Sequence, residues 1–520
     1  MSPRPPTHFY IAIAGSGFGG LGMAIRLKQE GLEDFVIFER AQEVGGVWRD
    51  NSYPGCACDV QSQLYSFSFA PNPGWSRAYS PSAEIHAYLR DCADRFAIRP
   101  HLRFGHTVLD ARWDEARQLW HLETSEGRFT ANVFISATGA LSDPAIPKLP
   151  GLETFQGKVM HSARWDHGYA LAGRKVAVIG TGASAIQFVP HIQPEVGTLL
   201  LVQRTAPWVI SRGDRAISPG AKWVYRNVPG AQRLTRWLLF LFRELRVYGF
   251  LHPWLLQLVQ RLAVRHLEQS IPDPRLRARL TPNYTLGCKR VLISDDYLAS
   301  LTQPNVEVVT EAIREVRAHS LVLSDGTEHP VDALLFGTGF QVQDMPIARV
   351  IRGRHGLTLK EAWGDTMKAH AGTTVSGFPN LFLLMGPNTG LGHSSVLFML
   401  ESQLEHVLGA LRYLEGRELA AVEPTPDAQA EFVRHIDTHM RGTVWTQGGC
   451  ASWYLDATGR NSTLWPGSIS SFRRRVEHFE PSEYVAITRS ARPLAVSPES
   501  ALSEWAPPSK TPGTRTSSGS

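Results

Sequence analysis

At 520 residues the chain is too long for one hydrophobic core, and a prior of about 150 residues per domain suggests two to four domains. The hydrophobic fraction of 43% and charged fraction of 19% are those of an ordinary globular protein; the net charge of +5 is small and its Lys and Arg are scattered, so no nucleic-acid partner is expected. Five cysteines (Cys56, Cys58, Cys92, Cys288, Cys450) are few, odd in number and far apart, which argues against a disulfide framework, offers no zinc spacing and favours a reducing compartment. No metal is expected.

In chain order, residues 9–14 (FYIAIA) form an apolar run without alternation, the pattern of a buried parallel strand. No basic segment followed by an apolar stretch precedes it, so no secretory signal is expected and the cytoplasm is the default location. The run leads into Gly15-Ser16-Gly17-Phe18-Gly19-Gly20, then a helix over 21–30, then a strand over 35–38 that ends at Glu39. Gly15 permits the tight turn, Gly17 lets backbone approach a pyrophosphate, and Gly20 allows close packing of helix on strand. The free N–H groups and dipole of the helix start favour a diphosphate there, and Glu39 is spaced to accept hydrogen bonds from ribose hydroxyls.

A Pro-rich segment, 143–151, reads as a linker, and the same strand–turn–helix pattern returns after it. The run VAVI (176–179) enters Gly180-Thr181-Gly182-Ala183-Ser184-Ala185, and the next strand spans 198–202. Ala185 replaces the third glycine, a change associated with NADP. No acid ends the following strand; Arg204 and Thr205 stand there instead, a cation and a hydroxyl where a 2′-phosphate would sit. Two dinucleotides in one chain imply hydride transfer between them.

Residues 223–268 read as helical and unusually aromatic, but Arg243, Glu244 and Arg246 interrupt them, so no run reaches the ~20 apolar residues of a membrane span. A helical insert packed over an active site is the first reading; weak association with a membrane surface is compatible with the same residues. The C-terminal 30 or so residues, rich in Ser, Pro and Thr, are expected to be disordered.

What accepts the electrons next? Disulfide reductases place a redox cysteine pair beside the flavin, but Cys56-Ala57-Cys58 has the wrong spacing for one. Phe155-Gln156-Gly157, followed by His161 and then by Trp165-Asp166, matches the Phe-x-Gly-x3-His-x3-Trp-Pro/Asp fingerprint of Baeyer–Villiger monooxygenases at every specified position, between the two glycine turns. The resemblance runs from Phe9 to about Arg475. Gly45-Gly46-Val47-Trp48, Tyr53-Pro54-Gly55 and Cys58-Asp59-Val60 resemble that family's flavin loop. Gly287-Cys288-Lys289-Arg290 resembles its active-site arginine segment, Gly386-Pro387-Asn388-Thr389 its last flavin loop, and Ser452-Trp453-Tyr454-Leu455 a segment near the nicotinamide ribose. Two positions depart from the pattern: Asp456 stands for Gly after the last segment, and Gly337 for Ala in 336–339.

The resemblance implies an α/β fold of two three-layer Rossmann-like domains. Residues 1–150 and 330–487 would hold FAD, 151–329 would hold NADP with a helical insert at about 216–270, and 488–520 would form the disordered tail. FAD contacts are expected at Gly15, Gly17, Phe18, Gly20, Glu39, Gly46, Val47, Trp48, Asp59, Tyr65, Val108, Gly386 and Val396. NADP contacts are expected at Gly180, Thr181, Gly182, Ala183, Ser184, Ala185, Arg204, Thr205, Lys289, Arg290 and Trp453. Arg290, oriented by Asp59, would be catalytic, stabilising a C4a-peroxide of the flavin and the oxyanion of its ketone adduct; His161 would organise the link between domains. The implied reaction takes NADPH, O2 and a ketone to an ester or lactone. Oxidation of nitrogen, sulfur or unactivated carbon by a flavin-containing monooxygenase is the alternative, and a non-catalytic FAD scaffold a third reading. The sequence specifies neither the ketone nor the oligomeric state.

Overall fold

The first apolar run becomes β1 (Thr7–Ala14), whose last four residues are buried on both faces of an eight-stranded sheet, which is why it lacks alternation. In this computed structural model, described over residues 6–489, β1 pairs in parallel with β2 (Phe35–Glu39) on one side. On the other side it pairs in parallel with β6 (Gly127–Ser136). β3 (Leu102–Phe104) extends the β2 edge, while β4 (Val108–Asp114) and β5 (Leu119–Thr124) extend the β6 edge as an antiparallel meander. Leu381–Leu383, far away in sequence, joins β6 in parallel, so the chain returns to its first sheet after leaving it. Helix α1 (Phe18–Gln29) begins three residues before the expected start, because the last glycines of the turn are already helical. A Cβ on Gly20 would lie 1.9 Å from the Gly15 carbonyl oxygen, so no larger residue closes this turn.

The second sheet has five strands, all parallel: β7 (Lys158–His161), β8 (Lys175–Ile179), β9 (Thr198–Val202), β10 (Val306–Val309) and β11 (Ala333–Phe336), in the order β10-β9-β8-β11-β7. Helix α2 (Ala185–Ile192) follows the second glycine turn. Here both departures from glycine convention meet. A Cβ on Gly337, just after β11, would stand 3.0 Å from the Cβ of Ala185, so Gly337 makes the room that Ala185 uses.

Between β9 and β10 the chain forms α3 (Pro219–Asn227), α4 (Ala231–Leu245), α5 (Val247–Leu251) and α6 (Pro253–Ser270). The Arg236 guanidinium donates to the carbonyls of Gln63 and Ser66, each at 3.0 Å, and Arg243 donates to Gln61 Oε1. The Glu244 carboxylate accepts from the backbone N–H groups of Ile469 and Ser470. These three side chains fasten the insert across the first sheet's domain. Among the described residues no helix is long and apolar enough to cross a membrane.

Two expectations need correction. Cys288 and Cys450 form a disulfide, so the cysteine count concealed one long-range bridge, while Cys56, Cys58 and Cys92 are free and buried. The tail expected from 488 lies outside the described residues apart from Thr488 and Arg489, and Thr488 closes the strand Tyr484–Thr488.

Candidate active site

Both glycine turns face one cleft of about 1090 Å³, lined by Gly15–Gly19 from the first and by Ala183 and Ser184 from the second. Every expected FAD contact lines it except Gly20, which lies under the turn. Glu39 is buried at the end of β2, where its carboxylate accepts from the Ser16 N–H (3.0 Å) and hydroxyl (2.7 Å) and meets Arg49 at 3.2 Å. The acid therefore stiffens the turn from within. Trp48 donates its indole N–H to the Tyr65 hydroxyl (3.2 Å), and Phe18 sits edge-on to the Tyr65 ring at 5.3 Å, which makes an aromatic wall. A side-chain-free turn, a buried acid beside it and a flat apolar wall suit a flavin dinucleotide.

Beyond the end of β9 Arg204 meets Lys289. Burial and the neighbouring Arg204 guanidinium both lower the pKa of Lys289, and the Lys289 ammonium rests 4.9 Å over the Tyr284 ring. Two like charges held together, with no ion pair to a carboxylate among the described residues, suit an anion such as a 2′-phosphate. Thr181 donates its hydroxyl to the Thr205 carbonyl at 3.4 Å, which ties the glycine turn to the end of β9. Gly180, Thr181, Gly182, Ala185, Arg204, Thr205 and Lys289 lie outside the lining of the central cleft; Ala183, Ser184, Arg290 and Trp453 belong to it.

At the centre Arg290 donates to Asp59 at 2.5 Å, and the Asp59 charge raises its pKa above that of a free guanidinium, outweighing burial, which lowers it. Its side chain remains 38% accessible, but that surface faces the cleft. The Tyr454 phenol lies against this pair; burial pushes its pKa up to about 12 and the Arg290 charge opposes that rise. Trp453 is half-exposed beside it, its carbonyl accepting from Gln343 at 2.9 Å. Asp456 accepts from the N–H groups of Thr458 and Arg460, and its own backbone is not left-handed, so glycine is not required there.

The fingerprint residues do not line the cleft. Phe155 folds over Gly157, where a Cβ would stand 2.5 Å from its ring; Asp166 pairs with Lys158; Trp165 packs on Phe188 at 5.3 Å. His161 ends β7 opposite Phe336 and sits edge-on to Phe340 at 5.7 Å, in the return segment to the first domain. Burial lowers its pKa to about 4, so the ring is neutral.

Two residues of the site escaped sequence reasoning. Gln187 of α2 accepts from the Tyr53 hydroxyl (2.9 Å) and the Ala57 N–H, and donates to the Ala57 carbonyl (3.0 Å), so one amide joins the flavin loop to the second nucleotide domain. Its signal was one polar residue in the first turn of the helix, within the otherwise apolar run 185–190. Tyr454 was hidden by its neighbour Trp453.

Two parallel-sheet domains whose glycine turns share a cleft with a carboxylate-held arginine define a two-dinucleotide oxidoreductase. A family model described as flavin-binding monooxygenase-like matches residues 9–349, and the chain belongs to that family. It is 53% identical over 481 residues to a Baeyer–Villiger monooxygenase of Streptomyces coelicolor, covering 92% of each chain. It is 50% identical over 487 residues to one of Pseudomonas aeruginosa, covering 93% of this chain and 92% of that one. Among solved structures, a closed cyclohexanone monooxygenase superposes with a TM-score of 0.84 at 28% identity, covering 93% of this chain and 100% of that one. The NADP+-bound cyclohexanone monooxygenase from Rhodococcus sp. Phi1 gives 0.82 at 28% identity with the same coverage.

Proposed function

We propose that the protein is an NADPH- and O2-dependent flavoprotein monooxygenase that converts a ketone to an ester or lactone. Residues 1–150 and 330–487 hold FAD in this reading, and 151–329 hold NADPH. The observation that carries it is Arg290, fixed by Asp59, in the cleft that both glycine turns share. The relatives' names support ketone oxidation, and cyclohexanone, in the names of the structural neighbours, is itself a ketone.

A flavin held by the first glycine turn, Glu39 and the Trp48–Tyr65 wall would, with NADPH as reductant, supply the activation of O2 needed for insertion beside a carbonyl. The chain's own residues supply position and charge. Arg290 offers a guanidinium that stays protonated wherever the protein is folded, next to the place where negative charge grows on the substrate oxygen. Asp59 holds it in one orientation. Gln187 locks the two nucleotide domains at a fixed separation, and Arg204 with Lys289 holds the 2′-phosphate. The helical insert lines one side of the cleft with apolar side chains, among them Leu245, Leu255, Leu256 and Val259. Dependence on NADPH favours the cytoplasm.

Incubating the purified protein with NADPH, O2 and linear, cyclic and aryl ketones tests the reading. Esters or lactones are expected; N- or S-oxides or alcohols from matched amines, sulfides and alkanes, without ester, would replace it.

A further inference from the structure

Fifteen of the twenty-two large hydrophobic side chains exposed among the described residues lie in one stretch, 223–262. They include Trp223, Leu234, Trp237, Trp254, Leu258 and Leu262, all more than half exposed. Concentration on this scale marks an interaction surface and not the scatter normal for a monomer. Residues 219–270 also hold eight Lys and Arg against two acids, Glu244, which is turned inward on Ile469 and Ser470, and Glu268 near the end of α6; of the cations, Arg236 and Arg243 are turned inward as well. Arg226, Arg233, Arg261 and Arg265 are exposed among the apolar side chains. The surface is therefore apolar, rich in tryptophan and cationic.

The cleft opens into it. Leu245, Tyr248, Leu255, Val259 and Leu262 are exposed on this surface and also line the cleft that contains Arg290. A ligand entering between them meets these apolar side chains, with Arg243 and Arg246 beside them, before it reaches the reaction centre.

We propose that α3–α6 dock on an anionic lipid bilayer and admit a bilayer-dissolved, lipophilic ketone through this mouth. The docking stands on the surface alone; the identity of what enters rests on the ketone-oxidising reading above. A second copy of the chain suits the patch less well, because a two-fold interface sets the same cations against each other. Phosphate headgroups complement them, and tryptophan favours the interface between headgroup and acyl chain. With no described helix able to span, the helices lie in the plane of the surface, apolar side down.

The test is sedimentation of FAD-loaded protein with vesicles of phosphatidylcholine alone or mixed with phosphatidylglycerol. Strong binding to the mixed vesicles is expected, weakened by salt. The variant Trp254→Glu/Leu258→Glu, outside the cleft lining, should bind at least about tenfold less while oxidising a small water-soluble ketone at the wild-type rate. Arg261→Gln/Arg265→Gln should keep its flavin and lose the preference for the anionic vesicles. Failure of the wild type to bind either vesicle, or equal binding by the Glu variant, overturns the proposal. So does a wild-type dimer in solution that the Glu variant splits without any vesicle binding. Vesicle binding without ketone turnover would leave the docking standing and remove the substrate reading alone.

Discussion

Cys288 is disulfide-bonded to Cys450 across 162 residues of sequence, which fastens the segment that carries Arg290 to the loop that carries Trp453 and Tyr454. The two backbones also meet directly: the Thr285 N–H donates to the Gly448 carbonyl at 2.9 Å, and a Cβ on Gly448 would strike Cys288. The bridge therefore spans two walls of the active-site cleft. A bridge closing so long a loop typically contributes about 2–4 kcal/mol. Cys450→Ser should keep its flavin, melt several degrees lower and show a few-fold higher apparent KM for NADPH. Dithiothreitol should reproduce both changes in the wild type and add nothing to the variant; a wild type indifferent to dithiothreitol by calorimetry and steady-state kinetics would refute this.

Cofactor choice is expected to rest on Arg204 and Lys289. Burial and then the neighbouring Arg204 charge lower the Lys289 pKa, and a shared anion would offset the repulsion between the two. One charge-assisted contact to phosphate contributes about 1.5–3 kcal/mol. Arg204→Ala should thus raise the apparent KM for NADPH at least about tenfold and leave NADH almost unchanged. Equal losses with both cofactors would remove the 2′-phosphate assignment.

The two nucleotide units were legible because each is local: a buried strand, a glycine turn and a helix within some thirty residues. Glu39 and Arg204 stand at or just beyond strand ends, positions that the local pattern of such units marks, though the bonds of Glu39 to Ser16 and Arg49 were not legible there. What stayed hidden depends on side chains meeting across the chain. Gln187 touches the flavin loop from about 130 positions away, and the Cys288–Cys450 bridge links segments with no shared local pattern. The position of Ala185 was read as a cofactor signal; its partner, Gly337, became intelligible only when the two Cβ positions were found competing for one space. Exposure of the helical insert was equally invisible, because an apolar helical stretch reads the same whether its face is covered or bare.

Acid should destabilise the fold through His406. It is buried on the helix Leu397–Gly416, where Nδ1 donates to the Val476 carbonyl (2.8 Å) and Nε2 accepts from the Tyr484 hydroxyl (2.7 Å). Burial lowers its pKa to about 4, against about 6.5 in an unfolded chain. Between these values the unfolded state binds more protons, so stability falls as pH drops from about 6.5 to about 4, by ~3 kcal/mol for this group. His406→Gln should be less stable at pH 7 but lose less on acidification. Parallel melting curves for the two proteins across this window would contradict the assignment.

Arg290 and Asp59 should act as one unit in the reaction. The guanidinium supplies charge next to the substrate oxygen, and the carboxylate keeps it pointed there, so removing either partner removes most of what the pair does. Arg290→Ala should remain folded and yellow, since the flavin turn and its aromatic wall lie elsewhere, and NADPH should still bleach it, though more slowly. Ketone oxygenation should fall at least about 10²-fold, the scale of losing one oxyanion-stabilising donor, with O2 consumed appearing as hydrogen peroxide. Asp59→Ala should fall nearly as far, and the double variant little further. Stopped-flow bleaching separates reduction from oxygenation, and product analysis measures the second. Ester formation by Arg290→Ala at close to the wild-type rate, or clean additivity in the double variant, would move the site of oxyanion stabilisation away from this pair.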